Sequence, residues 1–338
     1  MCRIPFFTAR LAARAATAAA ALALATTLLP GSALAQAWPA RPIKLIVPFP
    51  PAGSTDVAGR VLTQAMAPAL GQTFVVENRA GAAGALGMDL VAKAPPDGYT
   101  LGVGGVGALV TIELLGRKLP YQVDKDLVPV AHMGSLALAI VARSGLKAGN
   151  LAEMVAMAKS QPGKLSYGSS GIGSPGHLAF EHLKGLAGVF MVHIPYRGDS
   201  ALATDVLGGQ VDIGVLTVPA AIAQASNGGV RILAVTGAKR SEQLPQVPTV
   251  AESGLAPLAK YEAEIWNVLV APAGTPSDVV ERLNAGINAA LRDAGVRKQL
   301  AGQGIAAAPM SAKETADFLR RERVKWAEVV KRSGATLD

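Results

Sequence analysis

Short apolar runs alternate with amphipathic stretches along the first part of the chain that follows Trp38. Runs of four to six apolar residues bounded by turn-forming residues predict strands, and apolar positions that recur every three or four residues predict helices. The predicted strands are 43–48, 73–77 and 100–103, and the predicted helices are 55–70 and 84–94. Alternation of this kind is typical of a parallel sheet with crossover helices.

A second α/β series follows the apolar run 136–142, which is predicted to be a strand that leaves the first domain. Its predicted helices are 151–161, 177–186, 200–207 and 220–225, and its predicted strands are 165–169, 190–194, 211–216 and 230–235. An extended run over 261–271 precedes a predicted helix 277–294, strand 305–308 and helix 312–332. These last elements include too few strands for a third domain, so we expect them to complete the first.

The predicted fold is therefore α/β with two lobes and two crossover strands between them. Lobe 1 is predicted to contain residues 36–137 and 266–338, and lobe 2 residues 138–265. In open α/β folds a ligand binds where strand ends face each other, so the site is expected between the lobes.

The first 35 residues have the pattern of a secretory signal peptide. Arg3, Arg10 and Arg14 precede the apolar run 15–29, and a small-residue cleavage site stands before Gln36. The apolar run is shorter than the roughly 20 residues of a spanning helix, so we expect a soluble mature chain that begins at Gln36.

Composition excludes several kinds of site. The single cysteine, Cys2, lies in the predicted signal peptide, so a thiol nucleophile or a zinc–thiolate centre is excluded from the mature chain. Removing three arginines lowers the formal charge from +8 to +5, and the basic residues form no run. Nucleic-acid binding is therefore not expected, and neither is a metal or another cofactor.

The first candidate binding loop, residues 48–56, leads from the first predicted strand into the first predicted helix. A helix N-terminus leaves backbone N–H groups unpaired and carries partial positive charge, so it suits a carboxylate or phosphate. The candidate ligand contacts here are Phe49, Gly53, Ser54, Thr55 and Asp56. For Asp56 a capping role is the alternative, because its carboxylate would repel a bound anion.

The second candidate loop, residues 168–177, contains Gly171-x-Gly173-x-x-Gly176, which matches a dinucleotide fingerprint. The motif lies in mid-chain and lacks the ribose-binding acid about 20 residues on, so a second anion cradle is favoured. Its candidate contacts are Ser169, Gly173, Ser174 and His177. For His177 a hydrogen bond at the helix end is the alternative.

An enzymatic alternative is a secreted hydrolase that uses Ser169 or Ser170 with His177. The loop lacks the closing glycine of a nucleophile elbow, which argues against it. His177 and His182 are five residues apart and do not share a helical face as metal ligands would.

A third loop follows the predicted strand 190–194. Arg197 has the planar fork that pairs with a carboxylate, and Tyr196 could stack on a ligand. Pairing of Arg197 with Asp199 or Asp205 at the surface is the alternative.

Seven short motifs occur in order and cover nearly all of the mature chain. They are Trp38-Pro39, PFPPAGSTD at 48–56, NRAGAAG at 78–84, PDGYTL at 96–101, YGSSG at 167–171, PYRG at 195–198 and APAGTP at 271–276. In these motifs the chain resembles the extracytoplasmic solute receptors of the tripartite tricarboxylate transporter group, often called the Bug family.

The resemblance implies a periplasmic Venus-flytrap protein of type II-like fold, without catalytic activity, that closes on a small organic carboxylate. It implies contacts from loop backbone, hydroxyl groups and ordered waters, membrane permease subunits as partners, and a monomer. A ligand-presenting sensor subunit is the alternative in the binding class. Ala52 departs from the family, which usually has glycine there, and an alanine restricts positive φ. Ala80 departs as well, where proline is common.

Overall fold

The computed structural model describes residues 38–226 and 228–337. The predicted signal peptide and its cleavage site lie outside these residues. No helix among the described residues is long and apolar enough to cross a membrane.

The first sheet region is a parallel set of three strands, as the alternation predicts. β1 (Ile43–Val47) pairs in parallel with β2 (Phe74–Asn78) on one side and β3 (Thr100–Gly105) on the other. Helix α1 (Ser54–Leu70) connects β1 to β2, and α2 (Ala85–Ala92) connects β2 to β3.

The long strand β4 (Leu127–Arg143) joins two parts of the sheet. Its residues up to Ala137 pair antiparallel with β9 (Glu264–Pro272), and its residues from Leu138 onward pair with the second series of strands. The division into lobe 1 (36–137 and 266–338) and lobe 2 (138–265) remains a prediction.

The predicted strand 136–142 was too short, since β4 starts at Leu127. The missed half contains Pro129 and Gly134, which are unfavourable inside a regular strand. Both lie where the register with β9 shifts, and Gly134 has a φ of +126°. These irregularities let the strand continue, although each residue alone suggested an interruption.

The second series of strands is β5 (Ser166–Ser169), β6 (Val192–Pro195), β7 (Ile213–Thr217) and β8 (Val230–Val235). β5 pairs in parallel with β6 and β7, whereas β7 and β8 run antiparallel to β4. A short strand β10 (Ile305–Ala306) also pairs with β4. The main strand order among the described residues is β2-β1-β3-β9-β4-β7-β5-β6.

The remaining helices surround the sheet. They are α3 (Ile112–Leu114), preceded by a π-helical turn Gly107–Thr111, α4 (Val123–Asp126), α5 (Leu151–Ser160), α6 (Pro175–Ala187), α7 (Asp199–Leu207), α8 (Val218–Ala225), α9 (Ser277–Arg292), α10 (Ala294–Gly302) and α11 (Ala312–Ser333). The predicted helix 277–294 therefore ends slightly earlier, and a second helix follows. The break occurs at Asp293, whose carboxylate accepts the Val296 N–H at 2.9 Å and caps α10.

The last helix, α11, packs against the sheet through a buried carboxylate. Glu322 is 5% exposed and accepts hydrogen bonds from the indole N–H groups of Trp266 in β9 (2.8 Å) and Trp326 (2.9 Å). Lys325 pairs with the same carboxyl group. This buried, charge-assisted network holds the Trp326 indole in place.

Candidate functional site

A cavity of about 620 Å³ lies among the described residues, where the two series of strands approach each other. Its walls come from the β1–α1 loop, the turn after β3, the β5–α6 loop, β9 and the C-terminal residues. Six of the predicted contacts line it: Phe49, Gly53, Ser54, Thr55, Gly173 and Ser174. The predicted residues Asp56, Ser169, His177, Tyr196 and Arg197 do not.

The start of α1 presents backbone donors to this cavity. Gly53 stands at the N-cap position and supplies no side-chain cap, and the first backbone bond across the helix start runs from the Val57 N–H to the Gly53 carbonyl (2.9 Å). The N–H groups of Ser54 and Thr55 precede that bond and have no hydrogen-bond partner among the described residues. Together with the helix dipole they form an electropositive surface without a charged side chain.

Asp56 supports the loop from behind. Its carboxylate is 2% exposed and accepts the Ala52 N–H (3.0 Å), the Arg60 Nε–H (3.0 Å) and the Asn78 Nδ2–H (2.9 Å). Burial acts to raise the pKa of Asp56, but the hydrogen bonds from Arg60, Ala52 and Asn78, with the Arg60 charge, outweigh it and lower the pKa.

The geometry at Ala52 explains how the loop tolerates the missing glycine. Ala52 has a φ of +68°, in the left-handed region where alanine is strained. The hydrogen bond from its N–H to Asp56 Oδ2 stabilises this conformation, so the loop forms with alanine at position 52.

The polar wall opposite the α1 start is Asn267, which sequence reasoning missed. The Thr55 hydroxyl donates to Asn267 Oδ1 at 3.3 Å. Asn267 is 3% exposed and its Nδ2 group has no hydrogen-bond partner among the described residues. Because Asn267 lines the cavity, its Nδ2 group is available to donate to a ligand or to water there.

Most backbone donors at the start of α6 are satisfied within the loop and helix. The Ser174 hydroxyl accepts the His177 N–H (3.2 Å), and His177 Nδ1 accepts the Gly173 N–H (3.1 Å), which confirms the predicted hydrogen bond of His177 at the helix end. The first helical residue is Pro175, which has no N–H. Burial lowers the pKa of His177, which keeps the ring neutral and able to accept.

Ser169 belongs to a buried cluster behind the loop. It is fully buried, and its Oγ lies 2.8 Å from His193 Nε2 and donates to the Gly171 carbonyl (3.0 Å). The His193 ring stacks on His177 with centroids 4.1 Å apart. Burial, followed by the nearby His177 and Lys184, lowers the pKa of His193 to about 4. The histidine next to the Ser169 hydroxyl is therefore His193, whereas the hydrolase alternative requires His177.

In the third loop, Tyr196 is partly buried and Arg197 is exposed. The Tyr196 hydroxyl donates to Asp205 Oδ2 (2.8 Å), and burial followed by Asp205 raises the pKa of Tyr196 to about 12. Arg197 is exposed and forms no ion pair among the described residues, so the predicted pairing with Asp199 or Asp205 is not formed. The carboxylate of Asp199 instead accepts the Thr217 N–H at 3.3 Å.

Several lining residues carried a sequence signal that was not used. β3 ends in Gly104-Gly105 and Gly107 follows, a glycine-rich strand end like those of the two predicted loops. Asn267 is a lone amide inside the apolar run 265–272. By contrast, Trp326 and Leu337 reach the cavity only through the course of the C-terminal chain.

No charged side chain lines the cavity in the part of the chain that the structure describes. Its polar part consists of Asn267, the free N–H groups at the start of α1 and the hydroxyl residues Ser54, Thr55, Thr111, Ser170 and Ser174. The rest is largely apolar and includes Ile112, Leu115, Leu178, Trp326 and Leu337. The arrangement suits an anionic group on an otherwise apolar small molecule.

The chain is similar in sequence and fold to several known proteins. Protein BugT of Bordetella pertussis is 38% identical over 315 residues, which cover 93% of this chain and 96% of BugT. The solved structure of R. palustris Rpa4515 with adipate has a TM-score of 0.74 at 33% identity, and covers 89% of this chain and 100% of that one. MatC from Rhodopseudomonas palustris with bound malate has a TM-score of 0.69 at 31% identity, over 87% of this chain and 100% of MatC.

These likenesses extend over both halves of the sheet, so the fold is the two-lobed α/β fold of periplasmic binding proteins. A model of the family described as "Tripartite tricarboxylate transporter family receptor" matches residues 58–335. With that match across most of its length, the chain belongs to the tripartite tricarboxylate transporter receptor family, which includes the Bug proteins.

Proposed function

We propose that this chain is a periplasmic solute receptor that binds a small organic carboxylate in the 620 Å³ cavity and delivers it to the membrane permease subunits of a tripartite transporter. Adipate and malate, bound by two relatives, are both small organic acids. The predicted signal peptide supports export. We further propose that the receptor is a monomer without catalytic activity or cofactor.

The observation that carries the proposal is the uncapped start of α1 at the cavity. The N–H groups of Ser54 and Thr55 and the Nδ2 group of Asn267 supply hydrogen-bond donors in a buried environment, where each bond is electrostatically stronger than in water. Phe49 and Gly53 line the same end of the cavity. A carboxylate accepts several such bonds at once, whereas a neutral group of the same size accepts fewer.

Of the remaining predicted contacts, we assign Gly173 and Ser174 to the cavity wall. We assign Asp56, Ser169, His177 and Tyr196 to positioning roles, because their polar atoms already bond to the loops they support. Arg197, exposed and outside the cavity lining, is not needed for ligand binding in this proposal.

Calorimetric titration of the mature chain against a panel of carboxylates, and against the matching primary amides, tests the proposal. At least one carboxylate should bind while its amide does not. Asn267→Asp, which replaces a donor by a negative charge, should abolish that binding. The control for the added charge is Asn150→Asp at the exposed N-cap of α5, which still accepts the Glu153 N–H but loses the bond from Nδ2 to the Glu153 carboxylate, so the comparison is of ligand affinity alone.

Arg197→Ala should leave the affinity within about twofold, since a side chain outside the cavity contributes at most a screened, long-range attraction. Loss of binding in Arg197→Ala with retention in Asn267→Asp would overturn the assignment of the site. Turnover of a chromogenic ester that is lost in Ser169→Ala would instead support the hydrolase. Adjacent permease genes favour delivery to a transporter, and an adjacent histidine kinase gene favours sensing.

A further inference from the structure

The two helix starts that meet the cavity differ in what they offer a ligand. At α1 the N-cap is a glycine without a side-chain cap, and the N–H groups of Ser54 and Thr55 precede the first backbone hydrogen bond. Both residues line the cavity. A negatively charged group placed there gains donors that nothing else in the described chain occupies.

A second observation at the same end is Asn267. Its side chain is 3% exposed, its Oδ1 is bound by the Thr55 hydroxyl, and its Nδ2 donors have no partner among the described residues. The amide and the α1 start form one polar end of the cavity.

The start of α6 offers no comparable set of donors. The Gly173 N–H is bound by His177 Nδ1, the Ser174 N–H by the Gly171 carbonyl (3.2 Å), and Pro175 has no N–H. The His177 N–H is bound by the Ser174 hydroxyl. The helix dipole and the Ser170 hydroxyl remain, but a second carboxylate at this end would replace its hydration with few new hydrogen bonds and no counter-charge.

The wall beside α6 is apolar and is completed by the C-terminus of the described chain. The Leu337 N–H donates to the Leu115 carbonyl at 2.9 Å, which holds the C-terminal residues against the turn after β3. Both leucine side chains lie beside Gly173, where a built Cβ would meet Leu115 Cδ1 at 2.7 Å and Leu337 Cδ2 at 3.3 Å. Leu178 and Trp326 continue this surface, and each is at most 2% exposed.

From this asymmetry we propose that the receptor selects a carboxylate with one anionic head and an apolar body, in preference to a dicarboxylate of the same length. The head binds at the α1 start and Asn267, and the body lies along Leu115, Leu178 and Leu337. This inference rests on the proposed function, since it names the ligand class of the same cavity. It predicts that a second carboxylate, which meets an apolar wall and no counter-charge at the far end, weakens binding.

Calorimetric titration with pairs that differ in one end group tests the inference. The pairs are hexanoate and adipate, octanoate and suberate, and decanoate and sebacate. The monocarboxylate of the best-binding pair should bind at least tenfold more tightly than its dicarboxylate. Adipate is a fair competitor because it is bound in the structure of the relative Rpa4515.

A charge added to the apolar end should reverse the preference. Ile172 lines the cavity and is 52% exposed, so Ile172→Arg can be accommodated and would supply a counter-charge. We expect the ratio of dicarboxylate to monocarboxylate affinity to rise at least tenfold in this variant. The matched control is Val324→Arg, which adds the same charge at a position that is 63% exposed and does not line the cavity, and it should leave the ratio unchanged.

The outcomes separate the two levels of proposal. A dicarboxylate that binds as tightly as its partner, or an unchanged ratio in Ile172→Arg, overturns the inference and leaves the receptor function standing. Failure of every acid in these pairs and in the wider carboxylate panel overturns the proposed function, and the inference with it.

Discussion

Replacing Gly173 by alanine tests how tightly the cavity wall is coupled to the β5–α6 loop. Gly173 has a φ of +72°, and an added Cβ would lie 2.7 Å from Leu115 Cδ1 and 3.3 Å from Leu337 Cδ2. Real Cβ atoms do not approach to the first distance, so Leu115 must move. Its methyl group is the end of a flexible side chain, but it forms part of the cavity wall.

Two costs follow, and a second glycine separates them. A left-handed conformation costs an L-residue about 1–2 kcal/mol of stability. Overpacking against Leu115 and Leu337 adds about 1 kcal/mol, the lower end of the range for one extra methyl group in a packed wall. Gly188, the C-cap of α6, has a φ of +65° and no atom within 4 Å of a built Cβ, so Gly188→Ala bears only the first cost.

Urea unfolding and calorimetric titration of both variants measure the two effects. Both should lose about 1–2 kcal/mol of unfolding free energy from backbone strain, and Gly173→Ala should lose about 1 kcal/mol more from overpacking. Only Gly173→Ala should bind ligand more weakly, by about fivefold to tenfold, which corresponds to about 1 kcal/mol. Unchanged affinity in Gly173→Ala, or an equal loss in Gly188→Ala, would refute the idea that Leu115 and Leu337 form the wall against which the ligand packs.

Three further predictions concern buried groups outside the cavity lining. Asp56→Asn should lower the unfolding free energy by about 1.5–3 kcal/mol, since it weakens charge-assisted bonds from Arg60 and the loop, and urea unfolding at pH 7 measures this. Ser169→Ala should lower stability by about 1–2 kcal/mol through the loss of its bond to His193 yet change ligand affinity less than twofold, contrary to a direct contact. Burial lowers the pKa of His132 to about 4, below the value near 6.5 of an unfolded histidine. The unfolded chain therefore binds more protons between these values, and His132 should contribute up to about 2 kcal/mol to the fall in stability as the pH drops from 7 to 5. The other histidines with lowered pKa values add to the fall, so His132→Gln should reduce the decline by about this amount, and an unchanged pH slope would show that the ring is not held neutral.

The hydrophobic pattern by itself determined the strands and helices that depend only on residues close together in the sequence. β1 and β8 occupy almost the ranges that their apolar runs predict, and α1 begins one residue before its predicted start. The position of the β1–α1 loop at the cavity also followed from sequence, because a strand, a turn-forming segment and a helix start are all encoded within some 30 residues.

Tertiary structure decided which backbone groups stay free at the cavity and which distant residues line it. The start of α6 looked equivalent to that of α1, yet His177 and Ser174 satisfy its backbone groups, a choice of side-chain rotamers that periodicity does not reveal. Asn267 and Leu337 reach the cavity from positions more than 200 residues after Thr55. Contacts at such separation depend on the strand order and the path of the C-terminal helix, so the ligand class suggested by the cavity emerges only when distant segments pack together.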